Sequence, residues 1–370
     1  MGASGMNARL SQYIKDHFPD TKADLFACFI ERGNQMAVKH GYNCMVTMQS
    51  WMFLSSFEKM REKILRTKSI TNLMHMENMV MGIAFGTAVT VFRNDYVTGY
   101  KGTYNQIKLQ DIENDEPRVF PVLENRFAQT STDKFSKIPG SPVAYWVSEG
   151  LLRAFATGKS LGDIALARNG MKTGENGRFV RLWWEVILQG FNPTACDWKE
   201  ASSSGAKWFP YNKGGEFRKW YGNNDCIVNW QNEGDEIFNH AKADKRNVQD
   251  YPLELKFKPS ASWSLVTSGQ PAFRYKENNL SDIAGMSFFS KKQELLILLG
   301  FCNSKIALEI LRILAPTINF QAGDIGRLPI VDYGVETETI RGLVSSNINE
   351  STTDWDSSEV SWDFKRNPLV

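Results

Sequence analysis

Cysteine and histidine are sparse. Cys28, Cys44, Cys196, Cys226 and Cys302 are scattered through 370 residues without a C-x-x-C pair, and none of the four histidines stands at ligand spacing from them. That spacing argues against a zinc site and against a disulfide framework, so no metal is expected. Long apolar runs are missing too. The richest, LLILLGFC at 295–302, is far short of the ~20 residues needed to cross a bilayer, and no amino-terminal run reads as a signal peptide. The expectation is a cytosolic protein with no membrane partner.

Signatures of self-contained catalysis are also lacking. ATGKS at 156–160 has Arg153 where a phosphate loop requires glycine. There is no G-x-S-x-G nucleophile motif and no regularly spaced carboxylate pair. His17, His40, His75 and His240 read as exposed or core histidines, with no acidic or cysteine partner assigned to any of them, and GASG at 2–5 reads as a disordered or turn-forming terminus.

What the chain does contain is ordinary globular material, 42% apolar, 23% charged and 12% aromatic, in a length that supports two or three cores. Its net charge of +2 hides an asymmetry. Residues 331–370 hold eight acids against Arg341, Lys365 and Arg366, which leaves 40 basic and 33 acidic residues in 1–330. A surplus of seven permits a polyanionic partner without demanding one.

Periodicity predicts a layered α/β start. Thr21-Lys-Ala-Asp24 reads as a capping box opening a helix that Gly41 stops, after an irregular, Gly/Ser/Asn-rich lead-in over 1–20. YNCMVTM at 42–48 reads as a strand, Ser55-Ser-Phe-Glu58 opens a second helix, and ITNLMHM at 70–76 and FGTAVTVFRN at 85–94 read as further strands. Three strands with two helices make an incomplete sheet. Four segments follow from the same reading: 1–100 as this partial sheet, 101–160 as a linker with a helix, 161–332 as a mixed α+β domain, and 333–370 as an acidic tail, docked or loosely ordered. Ser304 is the expected cap of the second of two helices in 291–314.

The second domain carries the chemistry. ARNGMKTGENGRFVRLWWE at 167–185 sets Arg168, Lys172, Arg178 and Arg181 among three glycines and two tryptophans. KWFPYNKGGEFRKWYGNNDCIVNW at 207–230 and QPAFRYKENN at 270–279, with Arg274 and Lys276, repeat the basic-aromatic texture. Clustered cations attract phosphate, and glycines let a backbone approach a ligand. Nucleic acid and carbohydrate both suit the aromatic residues, but polysaccharide binders do not need clustered Lys and Arg.

Five long phrases, PDTKADLFACFIERG, GYNCMVTMQSWMFLSSFEKMREKIL, GRFVRLWWE, KWFPYNKGGEFRKWYGN and NSKIALEILRILAPTINFQAGDIGRLPI, resemble the adenine-specific DNA methyltransferases of the PglX type, found in bacterial BREX phage-defence systems. More distantly they resemble the N6-adenine methyltransferases of type II restriction-modification systems. The resemblance runs from residue 1 to about 332. It implies a Rossmann-like sheet, of which this chain supplies the carboxyl-terminal part, followed by a target-recognition domain that binds double-stranded DNA. In such enzymes a Gly-rich turn holds S-adenosyl-L-methionine and an Asn-Pro-Pro-Tyr tetrapeptide holds the flipped adenine. Neither stands in this sequence. The resemblance therefore implies no methyl transfer and no cofactor for this chain alone, with the amino-terminal catalytic part or other BREX components as partners. A stand-alone DNA-specificity subunit working with a separate catalytic chain is the alternative.

The resemblance also nominates residues. An aromatic near 85–94 would stack on the target base, making Phe85 or Phe92 candidates, with sheet core as the other reading of both. Trp220 and Tyr221 would fasten their loop while Lys213, Arg218 and Lys219 face the duplex, and Asn319 and Gln321 would read base edges or form an interior turn.

Overall fold

Thr87–Arg93 is rich in β-branched residues, and from Ala88 to Arg93 buried and half-buried positions alternate, the pattern of a strand that packs one face and half-covers the other. In the computed structural model, which describes residues 1–80, 82–114, 116–123, 126–316, 318–331 and 334–367, this segment is a central strand, β3. It lies between β1 (Tyr42–Met48) and β2 (Ser69–Met76), antiparallel to both. β1 and β2 therefore run parallel to each other. α3 (Glu58–Thr67) connects β1 to β2, while α2 (Leu25–Met36) and a further helix, α1 (Ala8–His17), precede β1.

Local chemistry explains the boundaries and corrects two expectations. Asp24 rather than Thr21 caps α2, its carboxylate accepting from the Phe26 N–H at 3.4 Å. Thr21 is buried and its hydroxyl donates to Glu31 at 3.0 Å. The lead-in is not irregular throughout, because the Asn7 side chain accepts from the Leu10 N–H at 2.9 Å and starts α1.

The linker expected over 101–160 is replaced by sheet. β4 (Lys101–Ile107) pairs parallel with β2, and β5 (Phe127–Ser131) pairs antiparallel with β4, giving the order β1-β3-β2-β4-β5. KGTYNQI lacks apolar alternation, so nothing local announces β4. Two tertiary contacts hold it: Tyr104 packs in the core, and Gly102 approaches the Ile70 carbonyl so closely that a Cβ would lie 2.2 Å from its oxygen. The buried Arg61 guanidinium donates to the carbonyls of Trp51 (2.9 Å) and Gly140 (2.7 Å), tying this segment to α3. Met1–Thr157, which ends in α4 (Glu149–Thr157), forms one compact unit and Gly158–Val370 a second.

The second unit holds two four-stranded sheets. One has the order β7-β9-β8-β12, from Val180–Leu182, Cys226–Asn229, Trp208–Asn212 and Leu280–Ser281. The other has the order β11-β10-β13-β6, from Arg274–Lys276, Ser260–Ser264, Gly285–Phe289 and Leu166–Arg168. Helix α5 spans Asp235–Ala243. Helices α6 (Lys292–Cys302) and α7 (Lys305–Leu314) follow the strands, and the Ser304 hydroxyl caps α7 at 3.2 Å from the Ala307 N–H. After the short α8 (Ala322–Gly326), the acidic segment is helix α9 (Thr337–Asp356), docked rather than loose. Gly300 of α6 makes the approach possible, since a Cβ there would lie 2.8 Å from Val344 of α9.

Candidate nucleic-acid interface

The basic-aromatic loop after β8 is built around glycine. Gly214 has φ +78° and Gly215 φ +108°, conformations open to glycine, and a side chain on Gly214 would strike the Ala284 carbonyl. Trp220 fastens the loop: its N–H donates to the Phe273 carbonyl (2.9 Å) and its carbonyl accepts from the Tyr275 N–H (2.7 Å). Tyr221 is largely enclosed, and burial, with Asp356 and Asp363 nearby, pushes its phenol up to about 12.

Two of the cations assigned to phosphate are interior groups instead. Arg274 is 1% and Lys276 3% exposed. Arg274 donates to the carbonyls of Glu216 (3.4 Å) and Arg218 (3.3 Å), and burial lowers its pKa to about 10. Lys276 donates to the carbonyls of Gly222 (2.7 Å) and Asn223 (3.0 Å) and to Asn224, and burial holds its pKa well below the ordinary lysine range. A glycine-rich loop leaves carbonyls without partners, and a multi-donor cation beneath it supplies them. Both residues hold the loop up from inside the protein instead of lying on its surface.

The remaining loop cations also turn toward their own unit. Lys213 donates to the buried Asp282 at 2.8 Å, and Lys219 to the Asn303 carbonyl at 2.8 Å. Arg218 sits 3.3 Å from Asp354 and 5.1 Å above the Trp355 ring, both on α9. The duplex-facing role expected of these three meets a loop whose charges are already engaged.

The cations of 167–185 divide similarly. Arg178 is exposed, 3.2 Å from Glu236 and 5.4 Å over Phe179. Arg181 donates to the carbonyls of Gly177 and Val180, each at 2.7 Å. His240, expected without an acidic neighbour, has Glu175 at 2.6 Å and Asp244, one helical turn on, at 3.4 Å. Their ligand atoms lie within 4.8 Å of one another. Arg246 stands 3.5 Å from both carboxylates, so a guanidinium already serves the site as its cation.

The structure does bring together two predicted residues 153 positions apart. Arg168, at the end of β6, and Gln321, at the start of α8, line one open, polar cleft of about 390 Å³ with Asn169, Gln249 and Asp250. Gly170 sets the position of the 168–169 segment, since a Cβ there would lie 2.2 Å from the Ser281 carbonyl. Its role is close approach to its own chain, not to a ligand. Gln249 is placed by paired backbone bonds to Lys172, at 2.8 and 3.4 Å. Tyr251 is the buried floor, its hydroxyl accepting from the Ser281 N–H at 3.0 Å. Sequence reasoning missed Asn169 and Gln249; an Asn-Gly pair beside Arg168 was the available signal for the first, and nothing local marked the second. Asn319 is exposed and bridges Val266.

In the first unit Phe92 is 0% exposed, 5.7 Å from Trp51, and is sheet core, which removes it as a base-stacking residue. Phe85 is 47% exposed in the β2–β3 connection. His75 is buried nearby between Gln49, Tyr145 and Trp146, and burial lowers its pKa to about 4. No helix of the described residues is long and apolar enough to cross a membrane.

The chain resembles known proteins in sequence and in fold. Residues 1–80 match the family model of the Eco57I restriction-modification methylases. The fold is shared with the type IIL restriction-modification enzyme MmeI, solved in complex with DNA, at a TM-score of 0.59 and 10% identity over all of this chain and 50% of that one. In sequence over 1–80 and in fold, the likeness is to restriction-modification enzymes.

The chain is 34% identical over 385 residues to the adenine-specific methyltransferase PglX of Lacticaseibacillus casei (strain Zhang). It is 32% identical over 378 residues to the adenine-specific methyltransferase BrxX of Escherichia coli O9:H4 (strain HS). The chain is thus related over its whole length to the PglX-type adenine-specific methyltransferases. All of it is matched in both cases, against 32% and 30% of the relatives, so it spans about a third of their length.

Proposed function

We propose that this chain is the carboxyl-terminal part of an adenine-N6 DNA methyltransferase of phage defence or restriction-modification, with Met1–Thr157 completing a catalytic sheet and Gly158–Val370 recognising duplex DNA. The observation that carries the reading is the β1 edge. β1 is bonded on one side, to β3, and stands at the end of its sheet among the described residues. Tyr42 and Val46 on this strand are 63% and 56% exposed, and Phe29 and Met36 on α2 are exposed as well. An apolar strand with a free row of backbone donors and acceptors is a template for another strand. A further strand of the same sheet, from the same polypeptide or a separate catalytic chain, fits that edge.

In the complete enzyme S-adenosylmethionine would supply the methyl group. The sequence holds neither the Gly-rich turn nor the Asn-Pro-Pro-Tyr tetrapeptide, so these residues do not form its donor set and no step of methyl transfer is assigned to them. Their contribution in this reading is a wall of the base pocket, where the exposed Phe85 would stack on the base, and the grip on DNA. The test is anisotropy of a labelled random duplex with the 370-residue chain at rising salt. Affinity should fall linearly on a log-log plot, as release of phosphate counterions requires. Binding indifferent to salt, or none at low salt, overturns the DNA reading. Labelled S-adenosylmethionine should give no binding signal with this chain.

A further inference from the structure

We infer that the cleft of Arg168, Asn169, Gln249 and Gln321 reads base edges in duplex DNA, with Asn169 and Gln249 as specificity-determining residues. The inference rests on the proposed DNA reading and assigns it a place.

The donor set is the first argument. Three carboxamides and one guanidinium line the cleft, and a carboxamide presents a donor and an acceptor side by side. That pairing matches adenine N6 and N7 in the major groove, as the guanidinium fork matches guanine O6 and N7. Arg168 uses Nη1 on the neighbouring Ala167 carbonyl at 3.0 Å, which leaves further donors of its fork.

Electrostatics is the second. Asp250 lies in the cleft but is ion-paired with Lys256, which in turn sits 4.6 Å over Trp230 and 4.2 Å over Tyr251. The carboxylate is compensated, so a polyanion is not repelled by an unpaired charge. Lys172, whose backbone is bonded to that of Gln249, adds a further cation in the segment next to the cleft-lining residues.

The cleft also differs from its rivals. Carbohydrate sites stack sugars on open aromatic faces, whereas the one ring here, Tyr251, is 6% exposed and forms the floor. The basic-aromatic loop at 213–224 has its cations bound to Asp282, Asn303 and Asp354. The backbone that carries each amide is fixed: at Asn169 by the tight contact at Gly170, at Gln249 by its two bonds to Lys172, and at Gln321 by its N–H donating to Asp324 at 3.0 Å. A reader of sequence must be held in register, and these are.

The experiment is selection of bound sequences from a random duplex library by the 370-residue chain, wild type against Asn169→Ala, Gln249→Ala and Gln249→Glu, with thermal melts to establish folding. The wild type should enrich a motif. Each alanine variant should lose about 5- to 150-fold of its preference at one position, the span of a bidentate base contact, while affinity for unselected duplex stays within about 2-fold. Gln249→Glu keeps the shape and exchanges a donor for an acceptor, so it should change the preferred base there. An unchanged motif in folded variants overturns the assignment, as does wild-type binding without any motif. Absence of wild-type duplex binding at every salt concentration instead removes the DNA reading beneath it.

Discussion

Lys276 shows how a charge can look like a ligand contact in sequence and be a structural pin in the fold. Removing its ammonium leaves the carbonyls of Gly222 and Asn223 without a donor inside the protein. Lys276→Met should therefore lower stability by about 3 kcal/mol, read as a shift in urea midpoint. Phe92 and Phe85 separate the same way. Phe92→Ala empties a core position and should cost about 3–5 kcal/mol, whereas Phe85→Ala should leave the urea midpoint nearly unchanged and lower methylation when the catalytic part is supplied. His75 adds a pH dependence. Its pKa is about 4 folded against an ordinary value near 6.5, so the unfolded chain takes up the proton first as pH falls. Stability should be full above about pH 6.5 and decline toward pH 4, by on the order of 3 kcal/mol, and His75→Gln should flatten that decline in urea midpoints measured between pH 7.5 and 4.5.

At the scale of elements, the acid-rich carboxyl-terminal segment is the main structural surprise. Asp354 and Trp355 on α9 engage Arg218, Trp362 lies 5.5 Å from Phe191, and the Trp183 indole donates to the Val360 carbonyl at 2.8 Å. The Arg218–Asp354 pair is exposed on both sides, so Arg218→Ala should cost only about 0.5–1 kcal/mol. Gly300→Val should cost several times that in urea midpoint, because α9 cannot approach α6 past a branched side chain. Element type was largely legible: the strands at 42–48, 70–76 and 87–93 and the Ser304 cap are all where alternation and capping chemistry place them. β4 and β5 were not, since β4 gains meaning from pairing with β2, some thirty residues earlier in the chain, and β5 from pairing with β4.

For the whole molecule, charge separates grip from identity. With several surface cations already paired internally, duplex affinity should rest on few phosphate contacts, and the slope of log affinity against log salt should be correspondingly shallow. The same restraint applies to the β1 edge. Val46→Lys places a charge on an exposed strand and should suppress self-association in light scattering while leaving the duplex affinity of Gly158–Val370 unchanged.

The sequence alone determined the element types of β1, β2, β3, α2 and α3, the kinship with adenine methyltransferases and the basic-aromatic character of the second unit, because periodicity, capping and long shared phrases are local properties. Tertiary structure alone decided which cations face inward and which residues share a cleft. Burial of Arg274 and Lys276 depends on a glycine loop folding over them, and the meeting of Arg168, Gln249 and Gln321 depends on tertiary contacts, among them the pairing of β6 with β13 and the bridge of Lys172 to Gln249, that join segments up to 153 residues apart. A side chain's charge is written in its residue type, but its solvent is supplied by chain segments far from it in sequence.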